Sequence, residues 1–539
     1  MVWKYLLPLA SVAAAAVNLT CPDYSVYSTE NHGPYSGGRF NLSYQRPIPR
    51  CRTFNSSIVE DTIQSISRRI QDPDLKRLFT NSFPNTLDTA VKWKGYANGS
   101  QGEDLTFLIT GDINAMWLRD SANQMQSYLP LLKADSSPNS LASLYRGVIN
   151  LQARYLLIDP YCNSFQPPAE SGVAPSMNGA STDDDVRPRY NNQTVFECKY
   201  ELDSLAAFLE ISDNYYSATK DIDFFRRYNW VKAVEAILTV ANNMMVPTYT
   251  QNGSVSNLTY SFTRDTTRST ETQANDGLGN PLNNGTGLVR SFFRPSDDAT
   301  IYQGFIPANM MFSIKLQNCV EIASRLGNQG GLAERMRNLA SSLRTAITNH
   351  GIVQTPTHGR IYAFEVDGYF SQNIMDDANI PSLLSAPFLG YLDQNDEVYQ
   401  NTRALILSAG NPYFMRGPVI NAIGGPHNGP GYAWPMASIV RILTSNDDQE
   451  ITQQLQEIVS STDGLGLIHE SINTFNVSDW TRQWFSWANG LFGQTILDLN
   501  DRKPNLLRQS YQGGSGGNGG GWNGGGWGNG HGHGPGGGW

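Results

Sequence analysis

The sequence predicts an all-α fold: an (α/α)6 barrel of six helical hairpins, with small β and loop insertions at one mouth. Three observations predict it. Apolar residues recur at helical spacing in twelve stretches between about residues 58 and 498. Polar, aromatic-rich segments precede every second stretch. The remaining links are shorter and blander. Helices that alternate up and down put all even-numbered N-termini at one pole, so six hairpins closed in a ring gather these segments round one opening.

The twelve stretches fall near 58–80, 119–134, 140–157, 200–213, 222–245, 305–326, 332–350, 380–391, 397–408, 432–444, 447–461 and 484–498. In the third, Leu141, Leu144, Val148, Leu151 and Tyr155 share a face; in the seventh, Leu332, Met336, Leu339 and Leu343 do. "DLTFLITGDI" has strand character. Residues 247–292 form a long polar insertion with weak hairpin potential.

The chain opens on "MVWKYLLPLASVAAAAVNLTC". One lysine precedes a short apolar run ending in alanines, which predicts a secretory leader over 1–16, too short to span a bilayer. Residues 17–54 are expected as an extended lead-in, 55–505 as the helical domain, and 506–539 as a disordered tail. From Gly513 onward 17 of 27 residues are glycine, and His531 and His533 sit in this polar stretch. Nine Asn-x-Ser/Thr sites, at Asn18, Asn41, Asn55, Asn98, Asn192, Asn252, Asn257, Asn284 and Asn476, fit a secreted, N-glycosylated protein. Five cysteines in an oxidising compartment permit disulfides. The pairs expected are Cys21–Cys51 and Cys162–Cys198, with Cys319 free, although spacing alone does not fix connectivity.

A net charge of −9 argues against a broad phosphate-binding surface, and so against nucleic acid as a partner. No further apolar run suits a membrane span. No cysteine–histidine cluster has zinc spacing, and neither a metal nor another cofactor is expected. A monomer is expected.

The segments at the predicted mouth are "GDINAMWLRDS", "FECKYELDS", "FRPSDD", "FEVDGYFSQNIMDD", "GGPHNGPGYAW" and "HESIN…DWTRQWFSWAN". They bring Asp120, Glu201, Asp203, Asp297, Asp298, Asp367, Asp377 and Glu470 together with Arg119, Arg294, Arg482, His427 and His469. Trp117 and Trp484 are among the aromatic residues. Aromatic faces pack on the C–H faces of a pyranose, while carboxylates and guanidinium groups bind its hydroxyls. Cleavage of a glycosidic bond needs two carboxyl groups flanking it. Each motif also has a purely structural reading: Arg119–Asp120 as a buried ion pair, Glu201 and Asp203 as first-turn acids, the aspartate pairs as helix caps.

"GDINAMWLRDSANQ", "KYELDS", "FRPSDDA", "AFEVDGYFSQNIMDDANIPSLL", "GPHNGPGYAW" and "GLIHESIN…TRQWFSWANGLF" together resemble glycoside hydrolase family 125, over about residues 85–500. The resemblance implies an (α/α)6 barrel and a metal-independent, exo-acting α-1,6-mannosidase that inverts the anomeric carbon. It places the general acid in the pair Asp297–Asp298, with Asp297 preferred, and the general base at Glu470. Trp117, Arg119, Asp120, Asp203, Arg294, Asp367, Asp377, His427, His469, Arg482 and Trp484 are expected to bind substrate, a mannose-containing oligosaccharide or N-glycan. Two other readings stay open. One is another (α/α)6 glycosidase, acting on α-1,2-mannosides or α-glucosides. The other is a glycan-binding protein without catalysis.

Overall fold

The structure, a computed structural model, describes residues 20–99, 102–327 and 329–512. The leader, the sequon at Asn18 and the stretch from Gly513 lie outside the described residues.

The described residues form fourteen α-helices: α1 (Tyr24–Tyr27), α2 (Ser57–Ser67), α3 (Pro73–Ser82), α4 (Leu118–Gln126), α5 (Leu141–Ile158), α6 (Leu202–Thr219), α7 (Ile222–Arg227), α8 (Trp230–Met244), α9 (Ile306–Arg325), α10 (Gly330–Ala346), α11 (Glu397–Ile406), α12 (Pro435–Leu443), α13 (Asp448–Ser460) and α14 (Ser486–Arg502). Eleven of the twelve predicted stretches contain helix. The first divides into α2 and α3, and the fifth into α7 and α8.

The helix predicted over 380–391 does not form, and this part of the chain runs as turns. Pro387 would sit inside such a helix, where it donates no hydrogen bond and its ring clashes with the preceding turn. The apolar pattern is used all the same: Leu383, Leu384 and Ala386 are buried. Asp376 accepts hydrogen bonds from the N–H groups of Leu383 (2.8 Å) and Leu384 (2.9 Å), which does part of a helix's work on this backbone.

Five helices, α12, α14, α4, α6 and α9, pack side by side in that order. Outside them, α5 lies against α6, α10 against α9, and α13 against α12. The inner helices are buried nearly all round, α4 with mostly polar residues and the others with mainly apolar ones. On α6, for example, Leu202, Leu205, Phe208, Leu209 and Ile211 are buried together with Asp203 and Glu210. A helix such as α6, buried on every side, reads as apolar round most of its circumference, unlike the one-faced outer helices.

The expectation of an all-α fold needs correction. Seven antiparallel sheets of two or three strands are present among the described residues. Three of them lead into inner helices, through Met116–Trp117 before α4, Gly304–Phe305 before α9 and Tyr432–Ala433 before α12. Strands of two residues are too short to show the alternation by which a strand is read from sequence. Their effect is positional. They fix the backbone entering each helix, whose N-caps are Trp117 (α4), Glu201 (α6), Phe305 (α9), Trp434 (α12) and Phe485 (α14). None of these five side chains caps its own helix, so the N-terminal ends are left to other partners.

Both ends of the domain extend further than expected. The lead-in buries Leu42, Ser43 and Gln45, and Asn81 on α3 donates to the carbonyls of Ser43 (2.9 Å) and Gly466 (2.8 Å). At the other end, Leu506, Leu507 and Tyr511 are buried, and Gln512 donates to Asp72 (2.7 Å) and Asp74 (3.0 Å). Residues 506–512, expected in the tail, are therefore part of the packed body. Cys21–Cys51 and Cys162–Cys198 are bonded as expected, and Cys319 is free and buried on α9. Among the described residues no helix is long and apolar enough to cross a membrane.

Candidate active site

The N-terminal ends of α4, α12 and α14 meet at a cavity of about 430 Å³. Trp117, Trp434 and Trp487 line it, and their indole N–H groups are buried with no partner in the protein. The Nε of Arg119 makes no hydrogen bond, but it stands 3.6 Å from Asp120 Oδ2 in an ion pair. Native structures rarely leave buried donors unpaired, so three indoles around one cavity indicate that it binds something rich in acceptors.

Asp297 lines this cavity. It lies in the turn of a tight hairpin in which Phe293 bridges to Ala299 and the Asp297 N–H donates to the Arg294 carbonyl (2.9 Å). The aspartate pair is therefore not a helix cap, since α9 begins only at Ile306. Asp297 has φ 64°, a left-handed conformation that aspartate tolerates better than most residues and that is found mainly at turns and functional sites.

Its carboxyl is surrounded by charge. Asn163 donates to Oδ1 (3.0 Å), and Arg119 Nη2 lies 3.5 Å from the same atom. Lys199 donates to the Asp297 backbone carbonyl (2.8 Å). Burial works to raise the Asp297 carboxyl. Arg119, a hydrogen bond from Glu201, Lys199 and His427 outweigh it and hold the group well below the usual carboxylate range. The neighbouring Glu201 goes the other way. Burial raises it well above its ordinary value despite Arg119, and the charge of Asp297 raises it further. Arg119 Nη1 binds Glu201 (2.6 Å) and Asp203 (3.0 Å), and Asn163 reaches Glu201 Oε1 (3.4 Å) as well as Asp297. Arg119 and Asn163 thus tie the carboxyls of Asp297 and Glu201 into one unit.

Asp298 is turned away from the cavity and is 2% exposed. Ser296 donates to its Oδ2 (3.2 Å), and His427 Nδ1 stands 3.5 Å from its Oδ1. Burial works to lower the His427 pKa, but the hydrogen bond and charge of Asp298 prevail and raise it to about 9. His427 itself lines the cavity.

Glu470 is on the same cavity wall system, at the start of a hairpin formed by Ser471–Asn473 and Asn476–Thr481. Thr481 Oγ1 donates to its Oε2 (2.9 Å) and Arg482 Nη1 to its Oε1 (3.3 Å). Arg482 also donates through Nε to Asp112 (2.8 Å) and through Nη2 to Thr110 (3.0 Å). Its φ is 44°, so this arginine too is held in a left-handed conformation.

Of the residues expected from sequence, Trp117, Arg119, Asp120, Asp297, His427, Glu470 and Arg482 come together at the cavity. Burial raises the Asp120 carboxyl to about 6, against the pull of Arg119. The others stand behind the wall or elsewhere. Asp203 binds Arg119, and Arg294 is buried in an ion pair with Glu365 (2.7 Å). Asp377 accepts from Ser296 (3.3 Å) and from the Asn379 N–H (3.1 Å). Asp367 shapes a turn by accepting from the N–H groups of Tyr369 (2.7 Å) and Ser371 (3.0 Å). His469 is stacked on Trp480 at 4.4 Å, and burial lowers its pKa to about 4. Trp484 donates to Thr89 (3.1 Å), away from the cavity. Asp367, His469 and Trp484 are not among the residues that line this cavity.

Asn163 and Lys199 were not expected. A signal existed: each follows a cysteine of the 162–198 disulfide, so the bridge brings them together, and the Lys199 N–H donates to Asn163 Oδ1 (3.1 Å). Arg264 and Glu271, from the insertion at 247–292, also line the cavity. Nothing in their local sequence marks them, because they are delivered by the pairing of Ser261–Arg264 with Asp184–Arg187. Among the described residues no group of three or more His, Cys, Asp or Glu side chains is placed to hold a metal ion.

The sequence pattern of the metal-independent α-mannosidases, GH125, matches residues 72–497. The chain is 47% identical over 515 residues to the meiotically up-regulated gene 157 protein of Schizosaccharomyces pombe, covering 94% of this chain and 99% of that protein. Among solved structures it is similar to a metal-independent α-mannosidase of Streptococcus pneumoniae, captured in a non-productive complex with α-1,6-mannobiose. The TM-score is 0.73 at 33% identity, over 83% of this chain and 99% of that one.

Proposed function

We propose, since this chain belongs to glycoside hydrolase family 125, the metal-independent α-mannosidases, that it is a secreted exo-acting α-1,6-mannosidase. It removes one terminal non-reducing mannose and inverts the anomeric carbon. The five inner helices and the buried 376–391 segment are read as the inner ring of an (α/α)6 barrel. Two disulfides and the sequons support a secreted, N-glycosylated protein.

One observation carries the reading. Asp297 and Glu470, supplied by two distant motifs, line the same cavity among buried unpaired donors, while Asp298 does not. Glu470, oriented by Thr481 and Arg482, takes a proton from water as that water attacks C1. Asp297 gives a proton to the O6 of the departing sugar as the C1–O6 bond breaks. The ionised state of Asp297 is reconciled with this role by Glu201. The pair holds one proton, stored on Glu201 because it is the more deeply buried, and passed to Asp297 across their hydrogen bond when substrate displaces water. The unpaired indoles, Asp120 and His427 hold the hydroxyls of the terminal mannose.

The test is release of mannose from α-1,2-, α-1,3- and α-1,6-linked mannobiose, each with excess EDTA and, in parallel, with added calcium. Release from the α-1,6 compound alone is expected. Preferential, calcium-dependent cleavage of the α-1,2 compound would overturn the reading.

A further inference from the structure

A second cleft, of about 1140 Å³, adjoins the catalytic cavity and shares Asn178 and Phe196 with it as wall. We propose that this cleft, bounded by residues 175–196, is a leaving-group site that holds further mannose residues beyond the scissile bond. The inference rests on the exo-mannosidase reading. An exo enzyme encloses the terminal sugar, so the rest of the substrate leaves through the mouth, and the adjoining cleft lies at that mouth. Its volume exceeds the roughly 300–1,000 Å³ usual for small-ligand sites, enough for more than one sugar.

The lining has the chemistry of a saccharide site. The Phe196 ring stands on the divide, edge-on to Trp117 with ring centroids 5.5 Å apart. Tyr190 is half-buried in the cleft, and Met177 is 92% exposed there. Asn178, Asn191 and Gln193 offer amides that suit hydroxyl groups rather than a polyanion. A flat aromatic, an exposed thioether and neutral amides together match the alternating C–H faces and hydroxyls of a pyranose chain.

The cleft is also tied rigidly to the catalytic carboxyl. Asp184 in the cleft lining binds Arg264 (2.6 Å), which lines the catalytic cavity and binds Glu197 there (2.7 Å). Glu197 pairs with Lys199 (3.6 Å), which donates to the backbone carbonyl of Asp297 (2.8 Å). The Cys162–Cys198 bridge closes the loop that carries the whole segment. This chain of ion pairs from Asp184 on the cleft lining, ended by the Lys199 hydrogen bond to Asp297, is a basis for longer substrates being better positioned, not only better bound.

Asn192 lines the cleft and is a sequon, so the test uses the Asn192→Gln protein to keep a glycan out of it. The probes are α-1,6-mannobiose and linear α-1,6-mannotetraose. The expected kcat/KM for the tetrasaccharide is at least about tenfold higher, equivalent to roughly 1.4 kcal/mol. Met177→Ala with Tyr190→Ala should bring that ratio near one, while turnover of mannobiose stays within about twofold. Met177→Ala alone, at an exposed position that cannot unfold the protein, should lower the ratio by about threefold. Affinity is measured in parallel by calorimetry on Glu470→Gln, which reads the cleft even if mannobiose is not cleaved. Failure to cleave mannobiose would count against the function; a tetrasaccharide that binds and turns over no better than mannobiose would overturn the cleft.

Discussion

The two sides of the catalytic cavity are built differently. On the acid side, Asp297 is surrounded by Arg119, Lys199, Asn163, Glu201 and Asp203, with Asp298 and His427 behind it. On the base side, Glu470 has one hydroxyl and one guanidinium, and the guanidinium is itself tied to Thr110 and Asp112. In the proposed mechanism the dense side handles a proton that must be stored, delivered and replaced, which takes a second carboxyl and cations to balance it. In the same proposal the sparse side has only to accept a proton, so one oriented carboxyl group suffices. The base side depends instead on support from outside. Tyr24 packs edge-on against Trp484 at 4.8 Å, and Gln483 donates to the Ser25 carbonyl (3.0 Å), so the lead-in buttresses the segment that carries Arg482.

The largest effects should come from the two carboxyls and should differ in kind. Glu470→Gln is expected to lower kcat by about a thousandfold or more on every substrate, because no other group activates the water. Asp297→Asn should cost roughly a hundredfold to ten-thousandfold on the disaccharide and much less on an aryl mannoside, whose leaving group departs without protonation. Asp298→Asn should not show that contrast between substrates. If Asp298→Asn shows it instead, the assignment of the acid is reversed.

Next in size is Glu201→Gln, which removes the stored proton but keeps the contact with Arg119. A fall in kcat of roughly tenfold to a hundredfold on the disaccharide is expected, with a shifted acid limb of the pH profile and a small effect on the aryl mannoside. Equal losses on both substrates with an unmoved profile would make Glu201 purely structural.

How legible these two sides were in the sequence follows from how they are assembled. Asp297 and Glu470 stand in long motifs and could be named from text. Asp298, equally conspicuous there, differs from its neighbour only because the turn at φ 64° sends the two side chains different ways. Asn163 and Lys199 were marked by their cysteines, but a role in the site needed the fold. Asp367, His469 and Trp484 sit in the same motifs as true cavity residues; their neighbours in space, not in sequence, took them out of the site. The helices were readable from periodicity, whereas the 380–391 segment misled because burial gives turns the same apolar content as a helix. The two-residue strands carried no readable pattern at all.

A smaller effect concerns His427. Its pKa is raised from the ordinary 6.5 or so to about 9, so its charged pairing with Asp298 is complete below pH 6.5 and is lost as pH rises through about 9. kcat/KM should therefore fall on a basic limb near pH 9. His427→Gln should raise KM by several-fold and abolish that limb. A basic limb unchanged in the variant would remove His427 from the account.

The smallest expected effect tests the outside support of the base. Tyr24→Ala should reduce stability by about 1–3 kcal/mol, in the ordinary range for a lost packing contact, and lower kcat by only a few-fold. The loss should be equal on disaccharide and aryl mannoside, since it acts through the base side. A loss confined to the disaccharide would show that the lead-in communicates with the acid instead.

The central claim is that Glu470 activates water while Asp297 protonates the leaving oxygen in a single displacement. Proton NMR of α-1,6-mannobiose during the first moments of hydrolysis tests it most directly, before mutarotation mixes the anomers. β-Mannose is expected to appear first. First appearance of α-mannose would contradict it and make Glu470 a nucleophile.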